Sequence, residues 1–532
     1  MTVSLELHDI QGNVVKGYGR QHFSFARYIL FAIHDERAGR KFIRNILPLI
    51  TTATPWKTCD NDSGGVPKPE ATTNIAFTYH GLKCLGLPES SLHSFPTDFS
   101  DGMRARRDIL GDHGKSAPEN WDPVWNHPDK KVAILVSING QSTVAIENRY
   151  KEIQKILEGV KSGMEQLCGH RGESGAEDLP YQEASAIFNE QGDPTPKEHF
   201  GYTDGISNPF FKGTGKNPNL VIGSGKPSRD NPEGWAPIEP GEFLLGYRDE
   251  SQETPKAPTP PLLAKNGTFM VYRKLHQNVN SFDTYLSNQS TKHPEFNEEE
   301  IAAKFAGRWR NGAPITRFPT EEEADNFVKS VKETKKALDN AKDAIELEEA
   351  ELLYSVLLSQ YSAFNYDEDL DGSRCPVGAH IRRCNPRGSL EYGTKAYATP
   401  GALTNRRRLL RRGLPYGDSS DRSRDDGNHG IIFMTLGASI SRQFEFVQQQ
   451  WINYGNDFKA ANEKDPLLGN HGVDKLGRGN GKMLFQKNKG SDESPYFCSH
   501  IPRFVDMHGG EYFFLPSITA LHFIGRGTVD GT

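Results

Sequence analysis

Strand-like segments followed directly by helix-like segments occur in two separate stretches of the 532-residue chain, and this order constrains the fold more than any other feature. In the first stretch, a buried strand is predicted by the apolar, β-rich run FARYILFAI (25–33), and helical spacing that ends at Pro48 follows in AGRKFIRNILPLI (38–50). In the second, a strand is predicted at GIIFMTLGAS (430–439) and a helix at SRQFEFVQQQWIN (441–453). This order favours the α+β class, with an antiparallel sheet covered by helices on one face.

Further segments of the same kind lie between these two stretches. Residues 73–87 predict a strand and then a helix, 130–142 a strong strand, and 142–167 a long helix. Residues 266–286 begin another strand and helix. Because similar units follow one another, the chain is expected to have a duplicated architecture.

A loop-rich region separates the two units. Residues 211–262 are rich in Gly, Pro, Asn and Asp, which predicts long loops around a short strand. A chain of this length is also expected to form two or more domains. We therefore place an N-terminal domain at 1–235 and a C-terminal domain at 236–532.

The segment 320–360 differs from the rest of the chain in composition. It is charged, rich in Ala, Glu and Lys, and helical in its spacing. We interpret it as a helical insertion, either a solvated helix or a helical hairpin packed through one apolar stripe. A coiled-coil partner site is the alternative.

Composition and charge exclude several classes of protein. Hydrophobic residues make up 35% of the chain and charged residues 25%, which is typical of a soluble globular protein. The formal net charge of −6 predicts no general attraction to nucleic acid or to anionic membranes. No apolar run approaches the roughly 18–20 residues that a membrane-spanning helix needs.

The N-terminus and the cysteines carry two further predictions. The first residues lack a basic region followed by an apolar one, which predicts a cytoplasmic protein, or a secreted one if a leader was removed. None of the six cysteines forms C-x-x-C or C-x-x-C-H, which excludes covalent c-type haem and the common zinc spacings.

Three segments carry chemically strong groups. EHFGYTDGISNP (198–209) places Asp204 in an Asp-Gly turn, CPVGAHIRRCNPR (375–387) contains His380, and RRLLRRGLPYG (407–417) supplies Arg408, Arg411 and Arg412. Asp204 could be only a turn residue, His380 a structural histidine and the arginines a solvated cluster. One inward-pointing arginine could instead meet a buried anion or oxidant.

These segments, taken together, resemble the dye-decolorizing peroxidase family, in particular its larger fungal and bacterial members. The resemblance extends over nearly the whole chain and rests on the joint occurrence of several motifs. Besides the three segments above they are DIQGNVVKGY (9–18), GMRARRDILGD (102–112), NGTFMVYRKLHQNV (266–279), FAGRWRNGAPI (305–315), RQFEFVQQQWIN (442–453) and GGEYFFLPSITAL (509–521).

The resemblance implies two ferredoxin-like domains with antiparallel sheets and one haem b per chain in the C-terminal half. His380 would be the axial ligand of the iron, with His199 as a rival. Asp204 would be the distal acid/base, because an aspartate of ordinary pKa, about 3.9, can accept a proton from peroxide at mild acidity. Arg411 would stabilise the charge that develops as the peroxide bond breaks.

Further residues acquire roles through the same resemblance. Gly205 and Arg382 would contact the cofactor, and Asp465 would accept a hydrogen bond from the second nitrogen of the axial histidine. Tyr416 and Trp451 would relay electrons from substrates too bulky for the cavity. Ordinary packing is the alternative for both aromatic residues.

The family's activity is the expected function. Hydrogen peroxide would oxidise aromatic small-molecule reductants, among them dyes, phenols, lignin-related compounds or Mn²⁺, through an oxyferryl intermediate. Activity should be highest at acidic pH. A haem-binding or iron-handling protein of the deferrochelatase type, without strong peroxidase turnover, is the alternative. The protein would be a monomer or a homodimer.

Overall fold

The computed structural model describes residues 4–57, 65–172, 178–215, 218–227, 234–390, 401–486 and 495–527. The strands in these ranges are β1 Phe25–Ile33, β2 Ala71–Phe77, β3 Ile134–Gly140, β4 Met164–Gln166, β5 Gln182–Ser185, β6 Ile187–Phe188, β7 Pro194–Thr195, β8 Lys226–Pro227, β9 Trp235–Ala236, β10 Thr268–Gln277, β11 Leu410–Tyr416, β12 Gly430–Gly437, β13 Gly481–Phe485, β14 Tyr496–Ile501 and β15 Val505–Leu515.

The α-helices are α1 Gly12–Val15, α2 Glu36–Ile46, α3 Tyr79–Cys84, α4 Glu89–Ser94, α5 Thr97–Ala105, α6 Arg107–Leu110, α7 Thr143–Glu158, α8 Pro261–Ala264, α9 Val279–Lys292, α10 Glu298–Ala306, α11 Glu321–Asp339, α12 Ala344–Gln360, α13 His380–Cys384, α14 Ala402–Asn405 and α15 Ile518–Arg526. Two further segments, Ile440–Glu445 and Val447–Ile452, are wound as π-helix. Within the described part of the chain, no helix combines the length and the apolar character needed to cross a membrane.

Nine strands form one sheet in the order β11-β12-β10-β15-β2-β3-β1-β4, and β5 also pairs with β1. Every strand pair is antiparallel, so the predicted α+β class with antiparallel sheets is confirmed. The strands that precede residue 236 form one part of the sheet, and those that follow it form the other. The two parts meet where Phe77 of β2 pairs with Phe514 of β15.

Strand β1 spans the residues predicted for it, and nearly all of its side chains are buried. Ile29 and Phe31 pack into the core beneath α2, while Tyr28 and Leu30 point to a second core on the other face of the sheet. This differs from the expectation of a sheet covered on one face. Burial on both faces explains why the strand is a continuous apolar run and does not alternate with polar residues.

The predicted helix over 142–167 is too long. Ser142 caps its start by accepting a hydrogen bond from the Ala145 amide, and α7 ends at Glu158. After a short turn, Met164–Gln166 returns as β4 and pairs with β1. The open edge of β1 offers unpaired backbone groups, and pairing with them outweighs the helical spacing of this segment.

The charged segment 320–360 is a helical hairpin. Thr320 and Glu323 form a capping box at the start of α11, and Asp343 caps α12. On α11, Ala324, Phe327 and Val331 are buried against the core. One apolar face therefore holds the hairpin on the protein, which agrees with the interpretation of this segment as a helical hairpin packed through one apolar stripe.

Candidate active site

A cavity of about 460 Å³ lies against one face of the strands in the second part of the sheet. Its size is in the usual range of small-molecule sites. Side chains from β10, β12, β15, α13 and the π-helical segments line it: Arg273, Leu275, Phe433, Val505, Met507, His380, Cys384, Phe444, Val447, Gln448 and Ile452. Asp204, Gly205 and Arg411 complete the wall, so the cavity brings the three predicted key groups together.

The helix predicted over 441–453 is wound as π-helix. Ser439 caps the first π-helical segment through the Arg442 amide. A π-turn contains more residues than an α-turn and is frequent at functional sites. Here the wider winding carries Phe444, Val447 and Gln448 to the cavity wall.

His380 is the first residue of α13, and its ring is fixed by one strong hydrogen bond. Nδ1 lies 2.8 Å from Oδ2 of Asp465, which is the predicted contact. Because the carboxylate can only accept, Nδ1 carries a proton, and in the neutral ring the lone pair is on Nε2. Burial alone would lower the pKa of His380, but Cys384 and Asp465 outweigh it and hold that pKa well above its ordinary value.

Asp465 is buried completely and is held by the backbone as well as by His380. Its Oδ1 accepts hydrogen bonds from the amides of Leu467 and Leu468, at 2.9 and 2.8 Å. Burial by itself would raise the pKa of Asp465, but the imidazole and these amides hold it below its ordinary value. The side chain is therefore a fixed anion beneath His380.

Asp204 lies in a tight turn that presents its carboxylate to the cavity. Gly205 has φ of +79°, a conformation that glycine adopts without strain, and its amide donates to Asp204 Oδ1 at 2.5 Å. The Asp204 amide donates to the Pro196 carbonyl at 2.8 Å. The predicted Asp-Gly turn is therefore present, and it also places the Asp204 carboxylate at the cavity wall.

Arg411 is the arginine that reaches this carboxylate. Its Nη1 donates to Asp204 Oδ1 at 2.9 Å, and its Nη2 donates to the Ile206 carbonyl at 2.6 Å. The other two candidates bond to backbone carbonyls instead, Arg408 to Ser224 and Gly225 and Arg412 to Asn13 and Val14. Both members of the Asp204–Arg411 pair remain partly exposed, at 50% and 37%, and so face the open space of the cavity.

Of the other arginines of the wall, Arg308, Arg387 and Arg408 are buried and Arg412 is half-buried, and none of these four has a carboxylate partner among the described residues. Their hydrogen bonds go chiefly to backbone carbonyls. Burial, reinforced by neighbouring arginines, lowers the pKa of Arg308 and of Arg408 to about 9, and burial lowers that of Arg387 to about 10. A cavity with this much uncompensated positive charge requires an anionic occupant.

These features fit haem. An imidazole with its lone pair on Nε2 is the ordinary ligand for a haem iron that keeps its other face open. The arginines would meet the two propionates, and the apolar side chains from β12, β15 and the π-helical turns would contact the ring. His380, Cys384 and Asp465 also form a cluster of possible metal ligands, although Asp465 is engaged as the hydrogen-bond acceptor of His380.

Two predicted residues lie away from this wall. His199 contacts Ser419 Oγ through Nδ1 and the Tyr416 carbonyl through Nε2, at 2.7 and 2.9 Å, and burial lowers its pKa to about 4. Its ring is thus occupied on both sides, which favours His380 as the ligand. The Arg382 guanidinium bonds to the Cys375 carbonyl and lies 3.5 Å from Asp369, and its role as a cofactor contact stays a prediction.

The two predicted relay residues are buried but do not line the cavity. The Tyr416 ring lies on the opposite face of the sheet, with Lys274 Nζ 4.9 Å from its centre. Trp451 packs against Phe446 and donates from Nε1 to Asp457 at 3.0 Å. Their roles as relays stay predictions.

Sequence reasoning missed the residues that hold the Asp204 turn. Glu198 accepts hydrogen bonds from the Phe200 and Tyr202 amides and from Gln277 Nε2, at 3.0, 2.8 and 2.5 Å. Asn208 Oδ1 accepts from the Arg411 amide at 3.0 Å. An acidic residue two positions before an aromatic turn residue was the available signal, since such side chains cap nearby amides.

Three other residues of interest were missed. Cys384 lies one helical turn after His380, and its Sγ is 3.7 Å from Nε2, as the spacing of four in HIRRC could have indicated. Tyr18 lines the cavity and stacks on the partly exposed Trp56, with ring centres 6.2 Å apart. The two rings connect the cavity wall with the protein surface.

The comparison with known proteins agrees with this fold. Residues 9–172 match the family model of the DyP dimeric alpha+beta barrel domain. Among solved structures, an ancestral D-type dye decolorizing peroxidase is 26% identical with a TM-score of 0.66, and the match covers 98% of this chain and 99% of that one.

Similarity to curated relatives also extends over almost the full length. The chain is 28% identical to a dye-decolorizing peroxidase of Mycena epipterygia, over 98% of this chain and 87% of the relative. It is 26% identical to a multifunctional dye peroxidase of an Amycolatopsis strain, over 97% of this chain and 95% of the relative. These similarities, which extend over nearly the full chain, support its membership of the dye-decolorizing peroxidase family.

Proposed function

We propose that the protein is a haem peroxidase that uses hydrogen peroxide to oxidise bulky aromatic compounds, dyes among them. One observation carries the proposal: His380, which Asp465 holds from behind, lines the same cavity as the Asp204–Arg411 pair. A protein that only binds or transfers haem needs the histidine and the arginines. The Asp204–Arg411 pair has a chemical role only when peroxide is reduced.

Haem, when bound, supplies the redox chemistry that takes two electrons from reductants for each peroxide reduced. His380 would hold the iron through Nε2, and Asp465 fixes the ring and keeps the proton on Nδ1. Arg308, Arg387 and Arg408 would hold the propionates as charge partners.

Asp204 and Arg411 act on peroxide. With haem bound, a carboxylate oxygen of Asp204 would take a proton from one oxygen of hydrogen peroxide and return it to the other, which could then leave as water. The guanidinium of Arg411 orients that carboxylate through Oδ1 and stabilises negative charge on the oxygen atoms as their bond breaks. The Ile206 and Asn208 contacts keep Arg411 in place, so little reorganisation is needed during the reaction.

Electrons from a bulky reductant must cross the protein, because a cavity of about 460 Å³ that holds haem has no room for a dye as well. The Tyr18–Trp56 stack offers a route from the surface to the wall, beside the Tyr416 and Trp451 sites that the resemblance implies. Replacing Trp56 by Phe should lower turnover of a bulky dye more than turnover of a small phenol. Trp125→Phe is the control, since Trp125 packs on Tyr272, outside the cavity wall.

The deciding experiment is the absorption spectrum of the purified, haem-loaded protein, followed by peroxide-dependent oxidation of an anthraquinone dye. A haem spectrum with dye turnover that Asp204→Asn abolishes is the expected result. Retained haem without turnover by the unaltered protein would favour the haem-handling alternative, and no haem spectrum at all would defeat both. Phenols, lignin-related compounds and Mn²⁺ are then ranked as reductants in the same assay.

A further inference from the structure

Helix α12 is apolar on two opposite sides, and only one of them is covered. Tyr354, Leu357 and Tyr361, at the inner side, pack against the core that also holds α11. Ile345, Leu352 and Val356 are spaced by seven and four residues and so form a stripe on the outer side. The three outer side chains are exposed at 71%, 62% and 44%.

This outer stripe is unusual for a surface helix. Surface helices normally carry one apolar face toward the core and a polar face toward water, whereas a helix that is apolar all round is buried. Leu353, exposed at 53%, widens the stripe on the same helix. Contiguous apolar surface of this kind marks an interaction site.

The charges around the stripe indicate what covers it. Helix α12 carries Glu346, Glu348, Glu349 and Glu351 and has no lysine or arginine. On a helical projection, Glu348 and Glu349 lie on the two sides of the outer stripe. In the described ranges, neither of these two carboxylates takes part in an ion pair, so they are available to a cationic partner.

The matching cations lie on the other helix of the same hairpin. Lys329, Lys332 and Lys336 of α11 are exposed and spaced by three and four residues, so they share one face. Over the residues that the structure describes, Lys332 and Lys336 have no carboxylate within ion-pair distance. One hairpin therefore presents an acidic apolar helix beside a helix face that carries three lysines, and these two surfaces are complementary to those of a second copy.

We propose that the protein forms a homodimer in which the α11–α12 hairpins of two copies pack across a two-fold axis as a four-helix bundle. The stripes of Ile345, Leu352 and Val356 face each other at its centre, and the lysines of each α11 meet the glutamates of the other copy's α12. A two-fold axis makes every such contact occur twice, which doubles the effect of each side chain. The acidic flanks disfavour an anionic membrane surface as the occupant.

The oligomeric state of the full-length protein tests the apolar part of the proposal. Sedimentation velocity across a wide range of concentrations should show a dimer, and the double variant Leu352→Glu/Val356→Glu should weaken it by about 100-fold or more. Leu476→Glu, which alters an apolar side chain exposed at 76% outside the hairpin, is the control and should leave the dimer intact. A wild-type protein that stays monomeric, or a stripe variant that dimerises normally, would overturn the proposal.

Charge exchange tests the partner. Glu348→Lys/Glu349→Lys and Lys332→Glu/Lys336→Glu should each dissociate the dimer, and a mixture of the two variants should associate again, because every contact between unlike copies is then complementary. Recovery only when all four changes are in one chain would place the pairing within a hairpin and refute the interface. Binding of the monomer to neutral lipid vesicles, with no dimer, would identify a membrane surface instead and also refute it.

Discussion

Replacement of Asp465 by Asn tests whether the carboxylate sets the chemistry of His380. The asparagine oxygen can still accept from the Leu467 and Leu468 amides, which leaves its NH₂ group toward His380 Nδ1. Two donors cannot face each other, so Nδ1 must become the acceptor and the ring proton must move to Nε2. The nitrogen that would hold the iron then lacks its lone pair.

The expected size of the effect follows from these contacts. Loss of such a partner of a metal-bound histidine lowers metal affinity by about 10–100-fold, equivalent to about 1.4–2.7 kcal/mol. The variant also loses a hydrogen bond to a charged group, which should lower the free energy of unfolding of the haem-free protein by about 1.5–3 kcal/mol.

Haem titration followed by absorbance measures the first quantity, and denaturant unfolding the second. Nitrogen NMR of the haem-free protein, recorded at a pH at which the His380 ring is neutral, reports its tautomer directly. Asp369→Asn is the matched control: Asp369 is equally buried and accepts from the Arg374 and Cys375 amides at 2.9 and 2.8 Å, but it lies away from the cavity. It should lose stability and keep its haem affinity.

Two results would refute the reasoning. The first is wild-type haem affinity in Asp465→Asn together with an unchanged tautomer. The second is an equal loss of haem affinity in Asp369→Asn, which would show that general destabilisation and not the tautomer governs haem binding.

Three other predictions concern peroxide, acid and the cofactor. Asp204→Asn should slow the reaction with peroxide by about 100-fold or more in stopped-flow measurements while haem is retained, and an unchanged rate would remove Asp204 from the proton transfer. Burial lowers the pKa of His199 and of His471 to about 4, so the unfolded chain binds more protons below pH 6.5. The full contribution of these neutral histidines to stability is therefore present above that pH, and the free energy of unfolding should fall by about 2 kcal/mol per histidine between pH 7 and 5. Denaturant unfolding at several pH values measures this slope. His199→Gln should flatten it, and a flat wild-type profile would contradict the assignment. Arg387→Met should weaken haem binding by about tenfold in the titration, because a propionate loses a cationic partner, whereas unaltered binding would exclude that contact.

The elements that the sequence predicted well are those with strong local signals. FARYILFAI has the bounds of β1 because apolar side chains are needed on both faces of that strand. Strand β11, which carries Arg411, escaped notice because LRRGLPY combines charges with Gly and Pro and is a strand only through its pairing with β12. The spacing of 441–453 indicated a helix but could not distinguish α from π winding.

The site depends on contacts between residues far apart in sequence. His380 and Asp465 are 85 residues apart, and Asp204 and Arg411 are 207 apart, so no local spacing could join them. Resemblance to a family supplied those partners. It also implied a cofactor contact for Arg382, whose guanidinium bonds to the Cys375 carbonyl in this structure, because packing sets the direction of each arginine on a short helix.

The Asp204 turn lies in the predicted N-terminal domain but is anchored to residues of the predicted C-terminal one. Tyr202 Oη donates to the Ala302 carbonyl at 2.7 Å, Thr203 Oγ1 donates to the Arg310 carbonyl at 2.9 Å, and Glu198 is bound by Gln277. A chimaera that joins residues 1–235 of this chain to the remainder of a relative would inherit the carboxylate without the residues that aim it. The smallest unit that can be exchanged between family members with its peroxide chemistry intact is therefore the turn together with its anchors, and not a whole domain.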